Sequence, residues 1–372
     1  MGLPERLKYA RDRSGLTLAQ VREVVGIYES SLSDFENGKR EPKLSQLQAL
    51  ATAYNRSIAF LLSDEPIPRE VVLWRERPAE YAREIESQFL RLCEQYHNLE
   101  IWCDEILPPC LPEAKGSAER FGYQQAAELA KRLRGELGLG DRPAFELLSV
   151  LEDWCGVKIF HRDFSPTGTA ASTYSELFGA AVLLNSGNVR WRRNHDLAHE
   201  LFHLLTWPIF RSAQEESSLV AGESEEKLAT CFAANLLMPA EVVSAAVERR
   251  RDGDKLEFEA LYDIAREFDV SVESLLWRLH FLWNRGLAGE EQTRADIEKA
   301  KEWSPIFEER ERDDSAAAKW PERYRSLAVK ALRHGEISVG RFAEYLEISR
   351  QKAMSYLEQE AGTSEETWVT SA

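Results

Sequence analysis

The 372 residues are long enough for two or three domains, and at 44% hydrophobic and 30% charged with ten Trp they suit a soluble, helix-rich protein; the elements taken in order below make the expected class α+β, mostly helical. No apolar run approaches the ~18 residues of a membrane span, so no membrane partner is expected. The formal net charge of −16 excludes indiscriminate nucleic-acid binding by the whole chain, so any DNA contact must be local. The opening Met1-Gly2-Leu3-Pro4-Glu5-Arg6 does not read as a secretory signal, and with Arg6 where Ser or Thr is preferred it reads as a poor myristoylation site. Five cysteines (Cys93, Cys103, Cys110, Cys155, Cys231), odd in number and without C-x-x-C spacing, are expected as reduced thiols in a cytoplasm.

Residues 5–65 read as five short helices. Leu3, Leu7 and Ala10 form a helical stripe ending at Ser14-Gly15. Thr17 is the expected N-cap of the next helix, which Gly26 closes. Residues 29–37 follow, with Leu32 and Phe35 inward and Gly38 as the stop. Pro42 precedes a helix carrying Leu47, Leu50, Ala51 and Tyr54 at i, i+3, i+4 and i+7, and residues 58–62 make the fifth. Two short helices joined at Gly26-Ile27-Tyr28 form a helix-turn-helix.

The run Ser33-Asp34-Phe35-Glu36-Asn37-Gly38-Lys39-Arg40-Glu41-Pro42 resembles the XRE-type (lambda-repressor-like) DNA-binding domain. The resemblance implies that Glu29, Ser30 and Asp34 face base edges and that Asn37 and Arg40 approach phosphate. This chain departs from the pattern at several positions. Two of the three readout positions are acidic; such side chains accept from cytosine N4 but are repelled by phosphates. Arg22 replaces the usual small residue packed between the two helices, and Tyr28 replaces the usual Ser or Thr cap. Nine Lys/Arg and nine Asp/Glu over residues 1–65 leave the domain neutral. The reading is sequence-specific DNA binding; the alternative is a helical docking or dimerisation module, with a homodimer as a possible state.

Pro66-Ile67-Pro68 marks a boundary. Residues 74–107 read as one long helix, with Tyr81, Ile85, Phe89 and Leu92 at helical spacing, inside a linker segment 67–115 that Pro108-Pro109-Cys110-Leu111-Pro112 ends. A helix then runs from Gly122 through Ala126, Leu129, Ala130 and Leu133 to Gly138-Leu139-Gly140, and a second covers 145–155. Val157-Lys158-Ile159-Phe160 reads as a strand, residues 167–171 as a turn, and residues 179–184 as a strand ending at Asn185-Ser186-Gly187. A strand just before a catalytic helix suits an edge that pairs with an extended substrate; the alternative is an ordinary buried strand.

His199-Glu200-Leu201-Phe202-His203 is H-E-x-x-H flanked by apolar residues. Positions i and i+4 of a helix share a face, so His199 and His203 can reach one cation, and Glu200 can act on water as a base without being a ligand. A hydrolytic zinc site needs a third protein ligand and an open position. The apolar helix pattern running to Met238 and stopped by Pro239 begins beside Glu226, which is favoured as the ligand, with Glu223 and Glu225 as competitors. The acidic, polar residues 211–227 between them read as a solvated loop, with a lid as the alternative.

Residues 122–240 resemble the ImmA/IrrE metallopeptidases, on Leu183-Leu184-Asn185, on residues 197–205, and on Glu226-Lys227-Leu228-Ala229-Thr230-Cys231-Phe232-Ala233-Ala234-Asn235-Leu236-Leu237-Met238-Pro239. The resemblance implies a zincin-like (gluzincin) fold with a small sheet, zinc held by His199, His203 and Glu226, Glu200 as general base, and a protein substrate such as a transcriptional repressor. Phe202 stands where the family usually has Gly and is expected to crowd the back of the helix. His195 stands where an aromatic is usual, either as a rival ligand or in a helix-start hydrogen bond.

Residues 258–284 are expected to be helical with a turn at 269–274, and to belong to the peptidase domain. Residues 324–357 read as a small helical end-piece, again helix-turn-helix-like, that contacts the peptidase body rather than DNA. The expected organisation is 1–66 helix-turn-helix domain, 67–115 linker helix, 116–285 peptidase domain, 286–318 charged linker, 319–360 helical region and 361–372 disordered tail. The functional reading is a cytoplasmic zinc endopeptidase fused to a DNA-binding domain, with self-cleavage near 66–73 conceivable. The alternative is an antitoxin-like DNA-binding regulator whose peptidase-like part senses or binds a partner protein.

Overall fold

A computed structural model describes residues 2–14, 16–54, 56, 58–63, 71–108, 110–166, 169–211, 221–251, 256–283, 290, 291, 293–302 and 317–363. Pro66-Ile67-Pro68, most of the acidic stretch after Arg211, much of the charged linker and the last residues of the tail lie outside them. The fold is mostly helical with a small mixed sheet, and the chain divides into two compact units, Met1–Glu70 with Glu86–Asn98, and Val71–Ile85 with Leu99–Ala372.

The first unit holds α1 (Leu3–Arg13), α2 (Leu18–Val25), α3 (Glu29–Glu36), α4 (Leu44–Ala53) and α5 (Ile58–Leu62). Thr17 caps α2 by accepting from the Gln20 amide while the Gln20 side chain takes the Thr17 amide, and Gly26 ends the helix at φ 71°, where a Cβ would be strained. The helices close on Leu7, Ala10, Val21, Leu32, Phe35, Leu47, Leu50 and Leu61, all buried. Arg11 grips Glu36 through two hydrogen bonds, 2.6 and 2.9 Å. Arg13 and Arg56 both reach Glu94, at 3.0 and 2.7 Å.

The second unit opens with β1 (Val72–Trp74) and includes the ends of α6 (Ala82–Trp102). It continues with α7 (Tyr123–Glu136), α8 (Pro143–Asp153), β2 (Lys158–Arg162), β3 (Ala170–Ser175), β4 (Gly179–Asn185), α9 (Arg190–Leu205) and α10 (Trp207–Phe210). Then come α11 (Glu223–Leu237), α12 (Ala240–Glu248), α13 (Phe258–Phe268), α14 (Val272–Leu282), α15 (Glu322–Arg333), α16 (Val339–Tyr345) and α17 (Arg350–Thr363). The sheet order is β1-β3-β4-β2, with β2 parallel to β4 and the other pairs antiparallel. One core joins the sheet to α7, α8, α9, α11, α12, α13 and α14.

Four expectations are corrected. Residues 74–107 are not one helix: Trp74 belongs to β1, opposite Ala171, and packs edge-on against Phe164 at 5.7 Å. Pro78 breaks helical continuity, and α6 starts only after Tyr81, itself exposed. Ala170 and Ala171, expected in a turn, begin β3. β4 is not an edge strand, because β3 and β2 flank it on both sides and take up its ladder groups. Cys110 and Cys155 are joined in a disulfide with Cα atoms 5.0 Å apart, a proximity made by folding across 45 residues; Cys93, Cys103 and Cys231 are outside any disulfide.

The C-terminal helices pack on β2 and the end of α6. Tyr324 meets Phe160 edge-on at 6.0 Å, and Arg162 lies over Trp320 at 4.3 Å. Buried Glu100 pairs with Lys158 at 2.9 Å and with Arg323. Among the described residues no single helix is long and apolar enough to cross a membrane.

Candidate metal centre and nucleic-acid interface

α9 is pinned at its start by polar contacts. Asn188 donates to Asp196 at 3.1 Å, and Arg190 and Asn194 hold Asp269 at 2.8 and 2.7 Å. Asp269 sits at φ 50° and ends α13. Leu197, Ala198, Leu201 and Phe202 turn into the core, which leaves His199, Glu200 and His203 to face β3 and α11.

His199 and His203 lie one turn apart with ring centroids 5.2 Å from each other. From α11, Glu226 Oε2 comes to 3.0 Å from His199 Nε2, and Oε1 to 3.4 Å from His203 Nε2. Ligand atoms of His199, His203 and Glu226 all fall within 4.8 Å of one another. Among the described residues, His203 Nε2 and Glu226 Oε1 are buried without a hydrogen-bond partner. Orphaned polar atoms of this kind cost stability unless something satisfies them, and two imidazoles with one carboxylate are the donor set a divalent cation takes. The residues present therefore fit a metal ion.

The competing carboxylates fall elsewhere. Glu225 accepts from His203 Nδ1 at 2.8 Å and is held by Arg211 Nη2 at 2.9 and 3.0 Å. Glu223 is exposed and pairs with Lys227 at 2.6 Å. His195 lies 6.1 Å from the His199 ring and stays outside the cluster; it sits in the second turn of α9, not at its start, with Nδ1 3.8 Å from Asp196. Phe202 does not distort the helix. A pocket of rings takes it up: Phe121, Phe210 and Phe232 at 5.9, 6.3 and 5.7 Å.

Glu200 is fully buried and accepts from Ser172 Oγ at 2.7 Å through Oε2, leaving Oε1 without a partner among the described residues. Burial pushes its carboxyl up to about 7, against the opposing pull of His203 and the Ser172 hydrogen bond. A carboxyl poised there can take up and release a proton near neutral pH. Burial holds His199 below the ordinary imidazole range. For His203 burial acts in the same sense, but the hydrogen bond to Glu225 and the nearby carboxylates of Glu226 and Glu200 outweigh it and raise its pKa. Burial opposes the Glu226 charge, yet the two histidines hold its carboxyl low. Ser172 and Arg211 were not visible as site residues in the sequence: Ser172 lies in the unrecognised β3, and Arg211 gains its role only by reaching Glu225.

In the first unit, Glu29, Ser30, Asn37 and Arg40 are exposed on or beside α3, and Asp34 is half-buried. Asn37 donates to the Ser33 carbonyl at 2.7 Å, and the Arg40 guanidinium lies 6.0 Å from the Phe35 ring. Arg22 does not wedge between α2 and α3; it is exposed, 5.9 Å from the Tyr28 ring and 3.5 Å from Glu29.

Residues 7–61 match the helix-turn-helix family model, and residues 153–280 match the Peptidase M78 model, described as the IrrE N-terminal-like domain. The chain is 33% identical over 70 residues to the HTH-type transcriptional regulator ImmR of Bacillus subtilis (strain 168), which spans 19% of this chain and 55% of that protein. It is 34% identical over 67 residues to the uncharacterized HTH-type transcriptional regulator YobD of the same strain, 18% of this chain and 60% of that one. The chain thus spans little more than half the length of these relatives. Bacillus thuringiensis PlcR, solved with the peptide PapR7 and DNA, overlaps 99% of both chains at 14% identity, but a TM-score of 0.16 carries no structural argument. The chain joins an XRE-type helix-turn-helix domain at 7–61 to an IrrE-like domain of the Peptidase M78 family at 153–280.

Proposed function

We propose that the protein is a zinc-dependent endopeptidase of gluzincin type fused to a DNA-binding domain, a cytoplasmic regulator that cleaves a protein such as a repressor. The observation that carries the proposal is the convergence of His199, His203 and Glu226 beside buried Glu200. His/His/Glu suits zinc among the common divalent ions. Zinc held by these three residues supplies Lewis acidity toward a carbonyl and acidifies water. Glu200 accepts the proton of the attacking water at Oε1, while Ser172 keeps Oε2 fixed, and it then delivers that proton to the leaving amine. Residues 1–66 are the DNA-reading part in this proposal, with Glu29, Ser30 and Asp34 toward bases and Asn37 and Arg40 toward phosphates; 116–285 is the peptidase.

The test is co-expression with candidate repressors. Wild type cleaves one of them and Glu200→Gln does not, while both keep the metal. Cleavage that survives Glu200→Gln refutes the assigned base. A second reading makes the M78-like part a sensor or partner-binding module of a DNA-binding regulator. The naming of both curated relatives as transcriptional regulators favours it. A metal-loaded wild type that binds an operator and a partner protein but cleaves nothing would support that reading.

A further inference from the structure

His203 is held from both sides. Its Nε2 faces Glu226, and its Nδ1 lies 2.8 Å from Glu225 Oε1. Glu225 is in turn gripped by Arg211, whose Nη2 donates to both carboxylate oxygens, and the side chains of His203, Glu225 and Arg211 are only 1%, 6% and 15% exposed. A carboxylate clamped by a guanidinium is an acceptor only, so Nδ1 must carry the hydrogen, and the lone pair of the neutral ring is left on Nε2, the atom that meets Glu226. His199 has no such support. Its Nε2 faces Glu226 at 3.0 Å, but its buried Nδ1 has no hydrogen-bond partner among the described residues. The two imidazoles are therefore unequal. One has its Nδ1 hydrogen and ring orientation set before any metal arrives, and among the described residues the other ring's nitrogens meet only Glu226.

We infer that Glu225 and Arg211 are positioning residues that pre-set His203 for metal binding. The inference rests on the zinc reading above. Arg211 follows α10 directly and Glu225 lies in the first turn of α11, so this pair also bridges the two ends of the segment that joins the ligand helices. Carboxylates behind ligating imidazoles commonly change metal affinity by about 10–100-fold when removed.

The experiment measures zinc affinity of the full chain by competition with a chromophoric chelator, together with the visible spectrum of the cobalt-loaded protein and the melting midpoint of the metal-free protein. Glu225→Ala is expected to weaken zinc about 10–100-fold and to alter the cobalt spectrum. Glu225→Gln keeps an acceptor for Nδ1–H and is expected to restore most of the affinity. Arg211→Ala is expected to lose less than Glu225→Ala. Unchanged affinity and cobalt spectrum in Glu225→Ala overturn this inference while leaving the zinc reading intact. A Glu225→Gln that binds as poorly as Glu225→Ala, with both apo proteins melting equally low, also overturns it, because the role would then be structural. His203→Ala and Glu226→Ala separate the two levels: a wild type that binds zinc no tighter than they do overturns the zinc reading itself.

Discussion

Replacing Phe202 by Ala tests the packing that supports α9. Phe202 is fully buried, and its ring meets Phe121, Phe210 and Phe232 at centroid distances of 5.9, 6.3 and 5.7 Å. Phe-to-Ala changes in cores cost about 3–5 kcal/mol, the spread reflecting how far the site collapses. Phe232 stands on α11 and cannot follow, whereas Phe121 lies outside the long helices and Phe210 ends the four-residue α10, so part of the void can close. We therefore expect a loss near the middle of that range, about 4 kcal/mol. For a body of this size each kcal/mol lowers the melting midpoint by roughly 2–4 °C, which gives a drop of about 8–16 °C in scanning calorimetry. No ligand atom is removed, so metal stoichiometry at low temperature should stay at the wild-type value. A midpoint within about 2 °C of wild type would refute the claim that this ring cluster supports α9.

Burial, with Arg193 and Arg162 nearby, pushes His161 down to about 4. The native state then binds fewer protons than the unfolded chain, so this contribution to stability is complete above the ordinary imidazole range and is lost as pH falls toward 4; between pH 7 and pH 5 the loss is about 2 kcal/mol, and urea titrations of wild type and His161→Gln at both pH values should differ by that amount. The Arg11–Glu36 pair has side chains only 14% and 8% exposed, and cutting one partner of such a pair costs about 3 kcal/mol, read by hydrogen exchange of α1 and α3 amides in Arg11→Ala; protection equal to wild type would contradict it. If α3 faces DNA, Glu29→Lys removes a repelled charge and adds an attracted one. It should tighten binding and steepen the dependence of log K on log salt by about 1 in mobility-shift titrations, and no change in slope would place α3 away from the phosphates.

What could be read from the sequence divides by how local the information is. The five N-terminal helices were legible because caps and stripes lie within a few residues: Thr17 with Gln20, Gly26, and Leu47, Leu50 and Ala51. The i, i+4 spacing of His199 and His203 was equally local. Spacing favoured Glu226 but left Glu223 and Glu225 open, because only the approach of α11 to α9 turns one carboxylate toward both imidazole Nε2 atoms and its neighbour toward Nδ1 and Arg211. β1 has three residues, too few for any periodicity, and β3 alternates only small and polar side chains; both were missed, and Ser172 with them. Strand neighbours and the Cys110–Cys155 contact depend on residues tens of positions apart, which no local pattern encodes.

Metal content per chain is the most direct test of the central claim. Wild type, Glu200→Gln, His199→Ala and Glu226→Ala would be purified side by side and analysed by elemental spectrometry. One zinc per chain is expected in wild type and in Glu200→Gln, and almost none in the two ligand variants. Wild type without stoichiometric metal, or Glu226→Ala that keeps it, would contradict the account.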